Sequence, residues 1–369
     1  MIYLDHNATT PIDERALEAM LPFLQVFYGN PSSLYRHGRV VRSAIDTARE
    51  QVAALVGVQA TQVIFTSGGT EANNLALQAI KLGSRLAISA VEHPSVSEPA
   101  ENLARFGCDL KIIGVDNNGL VTQDAITEII EHSPALVSVM LANNETGVVQ
   151  NIANFTGQLK AKGITVHTDA VQALGKMPVD FNHLGVQMMS VSSHKIYGPK
   201  GCGALIVDKS TTLKPLLWGG GQEQGYRAGT ENVPAIIGFG KAAELAGLEL
   251  VQRTEHALKL LTLLEDCLTA IPGISIFAKD VARLPNTVQF GIEGMDGEML
   301  LMKLDQKGVA VSSGSACASG GGKPSPVLAA MGVSADLAKS AIRVSLGKAN
   351  TETEILEFIQ LLKTLVIPG

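Results

Sequence analysis

The sequence predicts an α/β fold: a three-layer α/β/α unit with a mostly parallel sheet, followed by a smaller α+β unit. Two observations carry this. Between Val63 and Asp208, short apolar runs alternate with stretches of helical spacing, the pattern of βαβ units with helices on both faces of a sheet. A glycine-rich stretch at 219–229 then interrupts the alternation, and a different mixture of helical and strand-like segments follows.

Taken in order, the runs VIFT (63–66), RLAISAV (85–91), DLKIIGV (109–115), ALVSVML (135–141), TVHTD (165–169), MMSVSS (188–193) and CGALIVD (202–208) are the expected strands. Most are apolar at successive positions, as strands buried on both faces must be. Segments 70–82, 94–106, 122–132 and 151–162 carry helical spacing. The last two strands, joined by SHKIYGPKG, are expected to form an antiparallel hairpin at one edge of the sheet. Beyond the glycines, a helical region spans Val233 to Leu268. Then come strand-like TVQFGI (287–292), a helix at 296–307, VAVSS (309–313), AIRVSLG (341–347) and an amphipathic helix at 352–366. The expected division is a large unit at 13–250 and a small one made of 1–12 with 251–369.

Composition narrows the function classes. The 369 residues are 46% hydrophobic and 17% charged, with a formal charge of −6. That supports a large core and offers no clustered basic face for nucleic acid. No apolar run approaches the roughly eighteen residues of a membrane span. The N-terminus lacks the basic start and apolar stretch of a signal peptide, so a cytoplasmic protein is expected. Cys108, Cys202, Cys267 and Cys317 form no CxxC pair, which argues against a zinc knuckle or a disulfide framework. The first three sit among apolar residues and are expected to be buried. His6, His93, His167 and His194 show no metal-ligand spacing.

The unusual residues gather where expected strands end, which is where open α/β sheets bind ligands. SGGTEANN follows 63–66 and opens a helix: Gly69 permits a tight turn, Thr70 can cap, and free N–H groups there suit a phosphate. An ordinary glycine turn is the plainer reading. Asp169 in HTDAVQ ends an apolar strand, so its carboxylate needs a partner; a protonated pyridine nitrogen or a local cap would serve. Gln172 is placed to reach a ring substituent. Lys195 in SSHKIYGPKG leaves a buried strand, where a partly desolvated amine can form a Schiff base. Ser192 and His194 beside it can donate to a phosphate. Together these parts describe a pyridoxal 5'-phosphate site. Cys317, in the glycine- and serine-rich SSGSACASGGGKPSP, is expected to be an accessible, reactive thiol on a mobile loop at about 311–326. Arg343 interrupts an apolar strand and needs an anion, either a substrate carboxylate or a structural acid.

These motifs, with YLDHNATTP (3–11), EHPSV (92–96), NNETG (143–147), GGGQEQGYRAGTENVP (219–234) and IRVSLG, span nearly the whole chain. In that order the sequence resembles the cysteine desulfurases of the nitrogen-fixation and iron–sulfur assembly type, within the class V aminotransferase family of fold-type I pyridoxal-phosphate enzymes. The resemblance implies that Lys195 carries the cofactor and moves the substrate α-proton, and that Asp169 pairs with the ring nitrogen. It further implies Gln172 on the phenolic oxygen, His93 stacked on the ring, and Gly69, Thr70, Ser192 and His194 on the phosphate. Asn144 and Arg343 would fix L-cysteine, and Cys317 would take its sulfur as a persulfide, leaving alanine. Thr230 would reach the phosphate of a neighbouring subunit, implying a homodimer. The implied acceptor is an iron–sulfur scaffold protein. The sequence departs from relatives in its GGGK stretch at 320–323 and in ending at Gly369. The rival readings are a cystine or cysteine C–S lyase or an aminotransferase of the same fold, neither of which needs a catalytic cysteine.

Overall fold

The computed structural model describes residues 1–313 and 324–366. Its strands, in chain order, are β1 (Ile2–Tyr3), β2 (Val63–Thr66), β3 (Arg85–Ser89), β4 (Asp109–Ile113), β5 (Leu136–Ser138) and β6 (Thr165–Asp169). There follow β7 (Met188–Ser192), β8 (Gly203–Val207), β9 (Ile274–Ile276), β10 (Thr287–Ile292), β11 (Val309–Ala310) and β12 (Ile342–Ser345).

Among the described residues, β2 to β8 form one seven-stranded sheet in the order β2-β8-β7-β6-β5-β3-β4. Only β8 runs against the rest. Side chains of alternate positions leave a strand on opposite faces, and the core divides accordingly. Ile64, Leu86, Ile88, Leu136, Met188 and Leu205 pack with the helices Gly69–Leu77 and Pro94–Arg105. Their strand neighbours Phe65, Ala87, Val137, Met189, Val191 and Ile206 pack on the other face with Arg36–Leu55, Gln123–His132, Ile152–Ala161 and Val233–Leu248. This is the expected three-layer α/β/α arrangement.

A second core gathers Leu4, Leu264, Phe290, Leu304, Val344 and Phe358, among others. It lies between the antiparallel sheet β12-β10-β9 and the helices Leu250–Thr269, Gly297–Gln306 and Glu352–Val366. The first residues of the chain join the two cores. β1 pairs with β11 and buries Leu4 in the second core, whereas Thr10 N donates to His194 O beside the large sheet.

Three expectations need correction. The β7–β8 hairpin is antiparallel as expected, but it is not at the edge: β2 adds outside β8. Gly203 makes this close stacking feasible, since a Cβ there would sit 2.7 Å from the Gly68 carbonyl carbon. The helical region from Val233 is two helices broken at Glu249, whose carboxylate is held by Arg15 and Arg253. Cys108 and Cys202 are buried, but Cys267 is only partly so. The helices Glu14–Gln25 and Arg36–Leu55 precede the region in which alternation was read. No described helix is long and apolar enough to cross a membrane.

Candidate active site

The carboxyl ends of β2, β3, β5, β6 and β7 open onto a cleft of about 720 Å³. The sheet reverses its winding between β3 and β5, so this is its topological switch point. The cleft is lined by Gly69, Thr70, His93, Asn144, Asp169 and Gln172, and equally by Ser192, His194, Lys195 and Arg343. Thr230 is exposed and does not line the cleft of its own chain. Cys317 lies outside the described residues, but Pro326 and Val327, which follow it in sequence, line the cleft.

The anion cradle starts where β2 ends. Gly68 has φ +157°, a backbone that side chains rarely adopt, and it is the N-cap of the helix Gly69–Leu77. Thr70 is therefore inside the first turn and not its cap, contrary to expectation. No side chain caps this helix; beside its first turn Ser67 N donates to Glu71 at 2.8 Å, and Arg227 holds Glu71 at 2.9 Å. That ion pair offsets a carboxylate next to free N–H groups of a helix N-terminus, a place that suits an anion. A Cβ on Gly69 would come 2.8 Å from Val171 Cγ2, so only glycine leaves the cradle open. Across it, Ser192 Oγ is buried and has no hydrogen-bond partner among the described residues.

Asp169 ends β6 and is 4% exposed. Its Oδ1 accepts from Val171 N at 2.9 Å and its Oδ2 from Asn73 Nδ2 at 2.7 Å. The local hydrogen bond expected of a cap is present, and each oxygen retains a lone pair for a further donor. His93 owes its place to Pro94: a residue before proline is held extended, and His93 has φ −68°, ψ 149° as N-cap of the helix Pro94–Arg105. Burial lowers its pKa, with Asp169 opposing and Lys195 adding to the shift. His194 is pushed down to about 4 by burial, Lys195, Lys200 and Lys176. Both rings are neutral near pH 7, able to donate one hydrogen bond each.

Lys195 closes a short turn after β7, and its Nζ donates to the backbone oxygens of Asn7 and Ala8. Gln172 Nε2 donates to the same Asn7 oxygen at 2.9 Å. Arg343, on β12, donates to Asp5 Oδ1 at 2.6 Å and to Asn144 O at 2.9 Å. The structural acid and the cleft position are therefore both real, and the two readings of Arg343 are compatible.

Sequence reasoning missed several groups here. Asn7 Oδ1 accepts from Lys176 Nζ at 2.7 Å and Asn286 Nδ2 at 3.2 Å, while its Nδ2 donates to Thr287 Oγ1 at 2.9 Å. Lys176 also holds Gln172 Oε1 at 2.7 Å, and burial, with Lys195 and Arg343 nearby, drives its pKa well down. Glu92 is buried; it is pushed up to about 8 by burial and by Asp169, against hydrogen bonds from Ser89 and Met140 N. Glu145 is raised mainly by burial, and Ser325 Oγ donates to it at 2.6 Å. Only the signatures around Asn7, Asn73, Glu92 and Glu145 marked them; nothing in the sequence singled out Lys176.

These residues fit pyridoxal 5'-phosphate. An orphaned buried hydroxyl faces a helix N-terminus across a glycine cradle, a carboxylate with spare lone pairs ends the next strand, and a lysine stands between them. Residues 2–358 match the aminotransferase class-V family. The chain is 41% identical to a protein of Dictyoglomus turgidum named cysteine desulfurase IscS, with 99% of this chain and 94% of the relative covered. It is 39% identical to one of the same name from Methanosarcina thermophila, over 99% and 92%. A solved NifS-like protein from Rickettsia africae superposes with a TM-score of 0.91 at 37% identity, covering 98% of each chain. The chain belongs to the aminotransferase class-V family.

Proposed function

We propose that this chain is a pyridoxal-phosphate-dependent cysteine desulfurase that converts L-cysteine to L-alanine and passes the sulfur through Cys317 to an acceptor protein. The observation that carries the reading is the convergence of Lys195, Asp169, His93, Ser192 and Arg343 on one cleft. Similarity over nearly the full length to proteins named cysteine desulfurase supports the substrate.

In this reading Gly69, Thr70, Ser192 and His194 hold the phosphate, Asp169 the ring nitrogen and Gln172 the phenolic oxygen, with His93 over the ring face. When bound there, the cofactor supplies an electron sink for the carbon beside the substrate amine. Arg343 and Asn144 bind and orient the substrate, the guanidinium taking the carboxylate while Asp5 and Asn144 O fix its plane. Lys195 Nζ moves the α-proton. The Cys317 thiolate attacks the substrate sulfur; the S–C bond breaks, the carbon keeps the electron pair, and a proton completes alanine. Pro326 and Val327, nine and ten residues after Cys317 in sequence, line the cleft wall, which supports this reading.

The same reading divides the chain into a cofactor-binding unit of 13–250 and a unit of 1–12 with 251–369. It also makes the protein a cytoplasmic homodimer, for which two features speak. Leu17, Leu21, Leu24, Tyr28, Leu34 and Tyr35 are exposed along the first helix and the segment leading to the second. The loop bearing Thr230 is pinned at the edge of the large sheet by Arg49–Glu223 at 2.6 Å and Arg42–Glu231 at 2.9 Å, leaving Thr230 itself outward. The acceptor is read as an iron–sulfur scaffold.

The test is direct. Purified protein given pyridoxal 5'-phosphate should turn yellow, carry the reduced adduct on Lys195 after borohydride, and release alanine from L-cysteine. A chain that stays colourless, or that binds the cofactor and releases pyruvate in place of alanine, would overturn the proposal.

A further inference from the structure

His93 and Asp169 stand at the cleft on different elements, and two side chains that the proposed chemistry does not use connect them. Asn73, on the helix Gly69–Leu77, is 1% exposed, and Ser95, on the first turn of Pro94–Arg105, is 8% exposed. Asn73 Nδ2 lies 2.7 Å from Asp169 Oδ2 and 2.8 Å from Ser95 Oγ. Ser95 Oγ is 2.8 Å from His93 Nδ1, and Ser95 N is 3.1 Å from the same nitrogen. We infer that Asn73 and Ser95 are positioning residues that hold the His93 ring as the Nε2–H tautomer and tie it to the Asp169 carboxylate. The inference rests on the assignment of His93 to the cofactor's ring face.

The direction of every bond follows from what each group can do. A backbone N–H only donates, so His93 Nδ1 must accept from Ser95 N. An ionised carboxylate only accepts, so the Asn73 atom against Asp169 must be its NH₂; the flipped amide would set one oxygen against another. The second hydrogen of that NH₂ goes to Ser95 Oγ. With its lone pair so engaged, the hydroxyl turns its own hydrogen to His93 Nδ1. Two donors then cover Nδ1, and the proton of the neutral ring sits on Nε2. Asn73 Oδ1 is buried with no partner among the described residues, so this orientation is set by the bonds of Nδ2.

The chain of donors runs one way, from Asn73 through Ser95 to His93. Its consequence is functional. A ring held like this presents an N–H to whatever lies over the cofactor face. It does not take up a proton at Nδ1 unless two hydrogen bonds break. The charged groups facing the ring are Asp169 from β6 and Lys195 after β7, while Glu92, Glu98 and Glu101 line the same cleft. Burial and Lys195 favour the neutral ring, with Asp169 acting the other way.

Nitrogen NMR of histidine-labelled protein tests this, with His93→Gln assigning the ring signals. The wild type should show an unprotonated shift at Nδ1 and a protonated one at Nε2 between pH 6 and 8. Ser95→Ala keeps the backbone N–H on Nδ1, so the Nε2–H tautomer should persist; losing the hydroxyl donor should move the Nδ1 signal and raise the ring's titration midpoint by about one pH unit, the worth of one hydrogen bond. Alanine formation should fall about tenfold, and Ser95→Thr should restore both readouts. If Ser95→Ala does not fold, Asn73→Ala must move the Nδ1 signal and the midpoint in the same direction. A proton on Nδ1 in the wild type, or signals unchanged in the variant that folds, overturns the inference. Failure of the wild type to make alanine with the tautomer as stated would instead count against the functional reading.

Discussion

The two walls of the cleft are built by different means. One wall is local: Gly69, Asp169, Ser192 and Lys195 each stand at or just after the end of a strand of one sheet, within short motifs. The other wall is assembled from far apart in the chain. Asn7 bonds Asn144, Lys176, Asn286 and Thr287, with sequence separations of 137 to 280 residues, and Arg343 reaches back 338 residues to Asp5. The first wall takes its shape from the sheet, whereas the second bridges the two units through Asn7 to Asn144 and Lys176 and through Arg343 to Asn144. Chemistry that depends on one wall should therefore be separable from chemistry that depends on the other.

The largest effect is expected on the local wall. Lys195→Ala should lower alanine formation by about 10³-fold or more, since under the proposed function it removes both the covalent anchor and the group that moves the α-proton. Its thermal unfolding should hardly change, because Lys195 bonds two backbone oxygens at the cleft edge. A Lys195→Ala protein that keeps activity would remove the local wall from the chemistry.

On the assembled wall, Arg343→Lys should raise KM for L-cysteine roughly tenfold or more, with a smaller change in kcat. An ammonium keeps the charge but cannot serve Asp5, Asn144 O and a carboxylate in one plane. Asn7→Ala should separate the walls most clearly. It leaves the Lys176 amine and the Asn286 amide short of a buried acceptor, so urea unfolding should show a loss of roughly 3 kcal/mol. An unchanged midpoint would mean that the walls are not joined through Asn7.

The last effect is on stability against pH and concerns Glu92. Its folded pKa of about 8 lies above the ordinary value of 4.5, so the folded chain holds a proton that the unfolded chain releases. Stability is then greatest, in this contribution, below about pH 4.5 and declines as pH rises to about 8. Glu92→Gln should flatten that decline in unfolding experiments at several pH values. An unaltered pH slope would show that Glu92 is already ionised at neutral pH.

The contrast between the walls also explains what could be read from the sequence. VIFT, TVHTD and TVQFGI lie at the observed strand positions because each is rich in β-branched or aromatic residues. Asp169 and Lys195 stood out as charged residues at the ends of such runs. Lys176 did not, since its burial comes from Asn7 and the second core, which leave no local trace. The place of β2 outside β8 was equally hidden, because strand order depends on long-range pairing and not on the runs themselves. Ser95 illustrates the limit within a motif: its neighbour His93 was singled out, but the hydroxyl acquires its role only from Asn73 on another helix.

The central claim is that sulfur leaves cysteine for Cys317, and one comparison tests it. Wild-type and Cys317→Ala holoenzymes should be mixed with L-cysteine under matched cofactor absorbance, with the proteins then examined by mass spectrometry. The expected result is one added sulfur on Cys317 in the wild type, with alanine formed, and neither in the variant although its colour is kept. Equal alanine formation by both proteins would contradict the account.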